Sequence, residues 1–291
     1  MLDARRLRLL RDLARLGTIA AVAEAHTYTP SAISQQLSTL EREAGVALLE
    51  RAGRRVVLTP AGTVLVREAE AVLAALERAQ AAVRAAGSAL SGPLRIGAFP
   101  TAVRTLLPSA LVALGREHPL LELMVSELDP AQVPDALRDR RLDVGLVQDY
   151  DVEPVAPAPN LDSAALLTET VFLAAPAPAD LASTRDTPWI VSSPGTLCHA
   201  VTLRVCRTAG FHPRVRHHAD DFATVLALVA AGQGVALVPA LAAGSPPDGV
   251  HLSPLDLRRR TRVAYRRGSA AHPAVVAFAG ALRSAVTTAT I

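Results

Sequence analysis

TPSAISQQLSTLERE, residues 29–43, has two contrasting faces when it is wound as an α-helix. One face is an apolar stripe at steps of four, three and four, made of Ile33, Leu37, Leu40 and the following Ala44. The opposite face is short, polar and uncharged, made of Ser31, Ser34, Gln35 and Ser38. Thr29 is a good N-cap and Pro30 suits the first helical position. The stretch therefore predicts a helix from Pro30 with one buried face.

The polar face suits contact with DNA. A helix in the major groove needs short donors and acceptors that reach base edges, and carboxylates there would face phosphates. A short, alanine-rich helix over 19–26 precedes the stretch, and this arrangement is typical of a helix-turn-helix. On this helix alone, a solvent-facing helix of an enzyme stays open as an alternative. We expect contacts to double-stranded DNA from Thr29, Pro30, Ser31, Ser34, Gln35 and Ser38.

A basic hairpin is predicted directly after this helix. Two short strands around a turn at 52–53 are predicted from the sequence LLERAGRRVVLT (48–59). Arginines surround that turn, namely Arg51, Arg54 and Arg55. Guanidinium groups at a hairpin tip are suited to DNA phosphates or the minor groove. The hairpin is thus expected to act as a wing beside the reading helix.

A long helix is predicted from Pro60 to Ala86, because Thr59 and Pro60 repeat the pattern of cap and proline. Its apolar residues keep the four-three spacing of a coiled-coil seam: Leu65, Ala69, Val72, Leu76, Ala79 and Val83. Such a stripe needs a partner helix, most simply one from a second copy of the chain. Packing against its own chain remains the alternative.

The C-terminal two hundred residues alternate apolar strands with helical stretches, which predicts a mostly parallel sheet covered by helices. Two similar phrases, LDVGLV and GVALVP, suggest two α/β lobes around a cleft. We expect the chain to cross between lobes at about 167–169 and to return at about 265–268. Lobe 1 would comprise 93–167 and 267–291, and lobe 2 would comprise 168–266. The N-terminal domain would be 1–60, and the linker helix and hinge 61–92.

The stretch GTIAAVAEAHTYTPSAISQQLSTLEREAGVALLERAGRRVVLTPAG (17–62) resembles the DNA-binding domain of LysR-type transcriptional regulators. The C-terminal phrases GPLRIGAFPTAVRTLLPSALVALGREHP and ALVAAGQGVALVPALA resemble the effector-binding domain of the same family. The resemblance covers nearly the whole chain. Departures from the family pattern include Thr18-Ile19, Leu49-Glu50 and Gln35, where Arg is common.

The resemblance implies an N-terminal all-α winged helix-turn-helix with a long linker helix, and a two-lobed α/β effector domain like that of periplasmic binding proteins. It implies a homodimer or homotetramer that binds DNA and a small-molecule effector, with RNA polymerase as a further candidate partner. By the same alignment, the effector cleft is expected to be lined by Pro100, Thr101, Gln148 and Thr196. Their hydroxyl, amide and backbone groups suit a carboxylate or another polar group, although helix capping alone would also explain them.

The charge of the chain and its lack of a predicted targeting signal limit the classes of function that we expect. The chain has 291 residues and a formal charge of only +3, with arginine supplying every basic residue except the histidines. Neither a secretory signal nor a membrane span is predicted, so we expect a cytoplasmic protein without a membrane partner.

Cys198 and Cys206 lie about 12 Å apart along a predicted helix, too far for a disulfide within it. No metal site, cofactor or catalytic constellation is predicted. A solute-binding protein and a thiol redox-sensing regulator are the alternative functions.

Overall fold

The computed structural model describes residues 1–53, 55–87 and 89–288. The chain forms two compact units. The N-terminal unit comprises Met1–Ala86 together with the short segment Arg266–His272. The C-terminal unit comprises Gly87–Tyr265 and the C-terminal helix that begins at Pro273.

The N-terminal unit begins with helices α1 (Ala4–Leu16), α2 (Ile19–His26) and α3 (Pro30–Ala44). Thr27 lies in the left-handed region (φ 58°) and sharply turns the chain between α2 and α3. Strands β1 (Leu49–Ala52) and β2 (Arg55–Leu58) form an antiparallel hairpin, and α4 spans Pro60–Ala85. In the apolar stripe of α3, Ile33, Leu37 and Leu40 are buried in one core with Leu10 and Val22, and Ala44 is half-buried against it. The predicted helix-turn-helix, wing and long helix are therefore present.

Gly62 explains why the start of α4 can pack tightly under the wing. A side-chain Cβ at this position would lie 2.1 Å from the carbonyl oxygen of Leu48. Thr59 strengthens the same junction, because its hydroxyl donates to the Ala47 carbonyl at 2.8 Å and accepts from the Gly62 amide at 3.0 Å. The TPAG sequence at 59–62 thus joins the wing to the long helix.

Residues 266–272 correct the predicted domain limits. The sequence assigned 267–291 to lobe 1, whereas Arg266–His272 pack against α4 in the N-terminal unit. The Ser269 hydroxyl donates to Glu77 Oε2 at 3.3 Å, and Gly268 lies so close to α4 that a Cβ there would be 2.3 Å from the Ala74 carbonyl oxygen. Serine and glycine in a short connection gave no signal of this contact in the sequence.

The first half of the C-terminal unit contains β3 (Ser91–Ala98), α5 (Pro100–Thr105), α6 (Leu107–Glu117), β4 (Leu120–Glu127), α7 (Val133–Arg138) and β5 (Val144–Tyr150). Strand β3 already begins at Ser91, inside the segment 61–92 that the sequence predicted as linker helix and hinge. Strand β3 pairs in parallel with both β4 and β5. The carboxyl ends of these strands therefore meet at one edge, where ligands bind in open α/β sheets.

The rest of this unit contains β6 (Leu161–Ala175), β7 (Pro188–Val191), α8 (Leu197–Thr208), β8 (Arg214–His218), α9 (Phe222–Ala230), β9 (Ala236–Pro239), α10 (Ala240–Ala243), β10 (His251–Arg266) and α11 (Pro273–Thr288). The main sheet has the order β4-β3-β5-β10-β6-β9. A parallel bridge between Trp189 and Val235 connects β9 with the β7–β8 pair.

The long strands β6 and β10 carry the chain between the lobes. Strand β6 pairs with β9 of lobe 2 through Val171–Ala174, as the predicted crossing near 168 requires. Strand β10 pairs with β5 of lobe 1 from Arg259 to Tyr265. The return crossing therefore lies before Arg259, several residues earlier than the predicted 265–268.

Candidate DNA-binding face and effector cleft

The outer face of α3 combines capping groups with free polar groups. The Thr29 hydroxyl accepts from the Ala32 amide at 3.2 Å and lies 3.0 Å from the Ser31 hydroxyl. The half-buried Ser34 donates its hydroxyl to the Pro30 carbonyl at 3.0 Å. Ser34 therefore retains only acceptor capacity for a ligand. Thr29 and Pro30 serve mainly to begin the helix.

Gln35 and Ser38 are the most available groups on this face. Both side chains are exposed, and neither hydrogen-bonds to another side chain or to the backbone within the described residues. By contrast, the adjacent Gln36 accepts from Arg6 Nε at 3.0 Å and is thereby tied to α1. Gln35 thus carries an amide donor and acceptor that remain free for a base edge.

Glu41 has a structural role that the sequence did not reveal. Its carboxylate Oε1 accepts from the backbone amides of Leu48 and Leu49 at 2.9 and 3.0 Å. One charged acceptor therefore satisfies two amides at the start of β1 and fixes the wing relative to α3.

The wing carries arginine on both of its faces. Cross-strand pairing matches Arg51 with Val56 and Ala52 with Arg55, so the two exposed arginines leave the hairpin on opposite faces. Arg54 lies outside the described residues. Gly53 occupies the turn with a φ of +63°, a conformation that favours glycine.

Only part of the predicted dimerisation seam on α4 is exposed to solvent. Ala69 is 1% exposed and belongs to the N-terminal core, and Leu65 is half-buried against the same core. The structure thus corrects the assignment of these two residues, because helix α1 packs against this part of α4. The rest of the seam is exposed in the single chain: Val72, Leu76, Ala79 and Val83.

All four residues predicted for the effector cleft line one cavity of the C-terminal unit. The cavity has a volume of about 240 Å³, and its wall includes Pro100, Thr101, Gln148 and Thr196. Thr101 is buried, and Gln148 is nearly so. The Thr196 hydroxyl donates to the Ser193 carbonyl at 2.8 Å and accepts from the His199 amide at 3.2 Å. Thr196 therefore caps α8, and its hydroxyl has no proton left for a ligand.

A buried ion pair, which the sequence did not predict, forms part of this cavity. Arg259 is 1% exposed, and its Nε donates to Glu169 Oε1 at 2.9 Å. Its Nη1 donates to Gln148 Oε1 at 3.3 Å, and the guanidinium lies 5.2 Å from the centroid of the Phe99 ring. Glu169 Oε2 accepts from the Leu241 amide at 2.5 Å. Burial alone would lower the pKa of Arg259, but the nearby Tyr150 and Glu169 outweigh it and raise this pKa.

One nitrogen of Arg259 is incompletely satisfied. Nη2 lies 2.8 Å from Glu169 Oε1, which is an ion-pair distance. It nevertheless makes no hydrogen bond of acceptable geometry with the described residues. The short Nη2–Oε1 distance shows that the two charges are paired. The angle at the N–H groups is unfavourable, so they do not form a proper hydrogen bond.

The remaining charges around the cavity are acidic. Glu127, Asp129 and Asp220 contribute to its wall. The Asp220 carboxylate accepts from the Ser193 amide at 2.8 Å and from the Ser193 hydroxyl at 2.6 Å. Since Glu169 already neutralises Arg259, the cavity carries no excess positive charge.

The surroundings of both cysteines disfavour the thiolate form. The Cys198 sulfur lies 3.5 Å from the Tyr150 hydroxyl, and burial raises the pKa of this thiol. Burial also raises the pKa of Cys206 to about 12, and the pKa of Tyr150 well above its usual value. Because the thiolate is the reactive form, the raised pKa values disfavour reaction at both cysteines.

Two general absences apply to the part of the chain that the structure describes. Within residues 1–53, 55–87 and 89–288, no three His, Cys, Asp or Glu side chains come together as a metal site would require. Over the same residues, no helix has the length and apolarity needed to cross a bilayer.

Comparison with known families identifies both units. The family model of the bacterial regulatory helix-turn-helix proteins, lysR family, matches residues 4–63. The model of the LysR substrate binding domain matches residues 87–287. The chain belongs to the LysR family. It is a DNA-binding transcriptional regulator with an effector-binding domain, and the alternative of a solute-binding protein is not supported.

Individual relatives agree with this assignment. The DNA-binding transcriptional dual regulator OxyR of Escherichia coli (strain K12) is 31% identical over 300 residues, covering 94% of this chain and 95% of OxyR. The transcriptional dual regulator GltC of Bacillus subtilis (strain 168) is 27% identical over 251 residues, covering 82% of this chain and 81% of GltC.

Solved structures show the same architecture. The H2O2-bound form of a Corynebacterium glutamicum OxyR mutant is 26% identical, with a TM-score of 0.59, and the match covers 99% of this chain and 94% of that one. Full-length CbnR in complex with its target DNA is 22% identical, with a TM-score of 0.54 and coverage of 98% and 100%. At 22% identity, the match to CbnR is evidence for the fold of this chain and not for its function.

Proposed function

We propose that this LysR-family regulator reads base edges with Gln35 and Ser38, assisted by Ser31 and the acceptor oxygen of Ser34. The observation that carries this proposal is the separation of faces on α3, since the apolar stripe is buried while Gln35 and Ser38 are exposed and free. Arg51 and Arg55 would contact phosphates beside the groove, and Arg54 is proposed for the same role from the sequence. The protein would act in the cytoplasm, where its DNA is, without catalysing a reaction.

Two substitutions, two residues apart and on opposite faces of α3, test this proposal. Gln35→Ala should leave the melting curve nearly unchanged and relax base discrimination by about 1–3 kcal/mol at one position of the site. Leu37→Ala should cost about 2–5 kcal/mol of folding free energy, because it leaves a cavity in the core. Thermal unfolding and binding to a series of singly substituted DNA sites measure both quantities. Unchanged sequence preference in Gln35→Ala would remove Gln35 from the base-reading face.

We further propose that the exposed part of the α4 seam joins two copies of the chain. Val72, Leu76, Ala79 and Val83 keep the four-three spacing and remain solvent-exposed in one copy. Burying them against the same residues of a partner helix would remove the apolar stripe from water. The dimer would then present two reading helices to two-fold related half-sites.

The seam is tested by the double substitution Val72→Asp and Leu76→Asp, with Val64→Asp as the matched control. Val64 is an exposed valine of α4 outside the seam. Two carboxylates buried without partners should abolish the dimer and operator binding together, whereas the control should retain both. Sedimentation velocity gives the mass. A double variant that still sediments as a full dimer would show that the seam packs elsewhere.

We propose that the effector occupies the cavity between the lobes and contacts Thr101, Gln148 and the guanidinium of Arg259. Pro100 and Thr196 would shape its wall, with Thr196 acting chiefly as a helix cap. Arg259 belongs to the wall of this cavity, which supports an effector oxygen beside its guanidinium. The acidic wall and the neutralised arginine favour an effector that is uncharged or that carries a positive group beside that oxygen.

Thr101→Val tests this cavity with little change in shape. Any compound of a metabolite panel that raises the melting temperature of the wild-type protein should bind about tenfold more weakly to Thr101→Val, because a hydrogen bond of about 1.4 kcal/mol is lost. Thr105→Val is the matched control, since Thr105 follows one turn later and does not line the cavity. Equal weakening in both variants would argue against contact at Thr101.

A further inference from the structure

A second cavity lies on the opposite face of the strand pair that carries the effector cleft. Side chains alternate along a strand, and Arg259 is paired with Tyr150 while Thr261 is paired with Gln148. Of these residues, Arg259 and Gln148 line the first cavity. The intervening positions, Val147 and Asp149 on β5 and Arg262 and Ala264 on β10, line the second cavity instead.

The outer wall of the second cavity is the segment 151–160, which follows β5. Its start is held to β10, where the Asp151 amide donates to the Arg258 carbonyl at 3.2 Å and Asp151 Oδ2 accepts from the Arg258 amide at 3.2 Å. Its end is held by Arg138, whose Nη2 donates to the Pro159 carbonyl at 3.3 Å. The cavity is therefore enclosed by a segment anchored at both ends.

The lining of this cavity is mostly apolar and its charges are balanced. Alanine, proline, valine and leucine side chains supply most of the wall. Asp149 pairs with Arg260 Nε at 2.6 Å and lies 3.7 Å from Arg262 Nη2. The charged residues of the lining are Asp149, Asp162 and Arg262, and Asp149 is also paired with Arg260 outside it. An ionic ligand would gain little there and would lose its hydration.

We propose that this second cavity binds an uncharged, predominantly apolar small molecule carrying a single hydrogen-bonding group. Its cavity volume of about 300 Å³ lies at the lower end of the range of small-molecule sites, roughly 300–1,000 Å³. The apolar body would pack against Val147, Ala264 and Leu161, and the hydrogen-bonding group would face Ser163 or Asp162. The second cavity adjoins the effector cleft through Pro130 and Gln148, which line both, but its remaining wall is formed by other residues, including Val147, Arg262 and Ala264.

The probe is N-phenyl-1-naphthylamine, an uncharged fluorophore that brightens in apolar surroundings. Full-length wild-type protein should give a saturable fluorescence increase with a stoichiometry of one per chain. Ala264→Leu fills the inner wall, and Ala156→Trp fills the outer segment at an exposed position where folding is not at risk. Both variants should weaken probe binding by about tenfold.

Ala165→Leu is the matched control, because Ala165 is an exposed alanine of β6 that does not line the cavity. It should bind the probe as the wild type does. No saturable binding to the wild type would overturn the proposal. Equal affinity in the wild type, Ala264→Leu and Ala156→Trp would also overturn it, because the probe would then occupy another place.

Discussion

The buried ion pair between Arg259 and Glu169 is the constraint on which the C-terminal unit depends. It joins the two strands that run between the lobes, because Arg259 lies on β10 and Glu169 on β6. The same pair reaches β5 through Gln148 and the start of α10 through the Leu241 amide. A buried guanidinium without this carboxylate would be an uncompensated charge, a situation that typically costs about 3–5 kcal/mol. The effector cavity is therefore built around a charge that the protein already satisfies internally.

This arrangement bears on how such a cavity recognises a ligand. Because Glu169 neutralises Arg259, an effector gains hydrogen bonds from the guanidinium more than net electrostatic attraction. Arg104 and Asp221 add an exposed ion pair at 3.2 Å, between α5 and the residue that caps α9. Exposed pairs of this kind contribute little stability and open at little cost. Ligand contacts inside the cavity can thus favour one lobe arrangement over another.

In the N-terminal unit, several polar side chains hold α3 and the wing in place, and others on the outer face of α3 remain unpaired among the described residues. Glu41 fixes the wing, Thr29 caps α3 and Arg6 holds Gln36. These contacts orient α3 without using Gln35 or Ser38. A rigid helix whose outer groups are unpaired is suited to DNA, since little order has to be created on binding.

The sequence predicted those features that depend on periodicity and caps. The helix limits of α3 and α4 follow from Thr-Pro starts and apolar spacing, and the α/β lobes follow from alternating apolar runs. It did not predict Arg259, because RRRTR at 258–262 resembles a surface run. The alternation of Leu257, Arg259, Thr261 and Val263 is the signal that could have revealed an inward arginine, since every second residue of the strand is buried.

Other features depend on tertiary packing that no local pattern encodes. Ala69 satisfies the coiled-coil spacing, yet α1 covers it. The contact of 266–272 with α4 joins positions about 190 residues apart through a glycine and a serine. Heptad spacing describes which side of a helix is apolar, but it does not identify what covers that side.

Selection of bound sequences from a pool of random double-stranded DNA is the measurement that tests the central claim most directly. The full-length protein, incubated with the pool and separated from unbound DNA over several rounds, should enrich one short motif. If two α3 helices read DNA together, that motif should occur twice in two-fold related orientation within each selected sequence. Enrichment of sequences without a shared motif, or no enrichment over the starting pool, would contradict the account of this chain as a sequence-specific regulator.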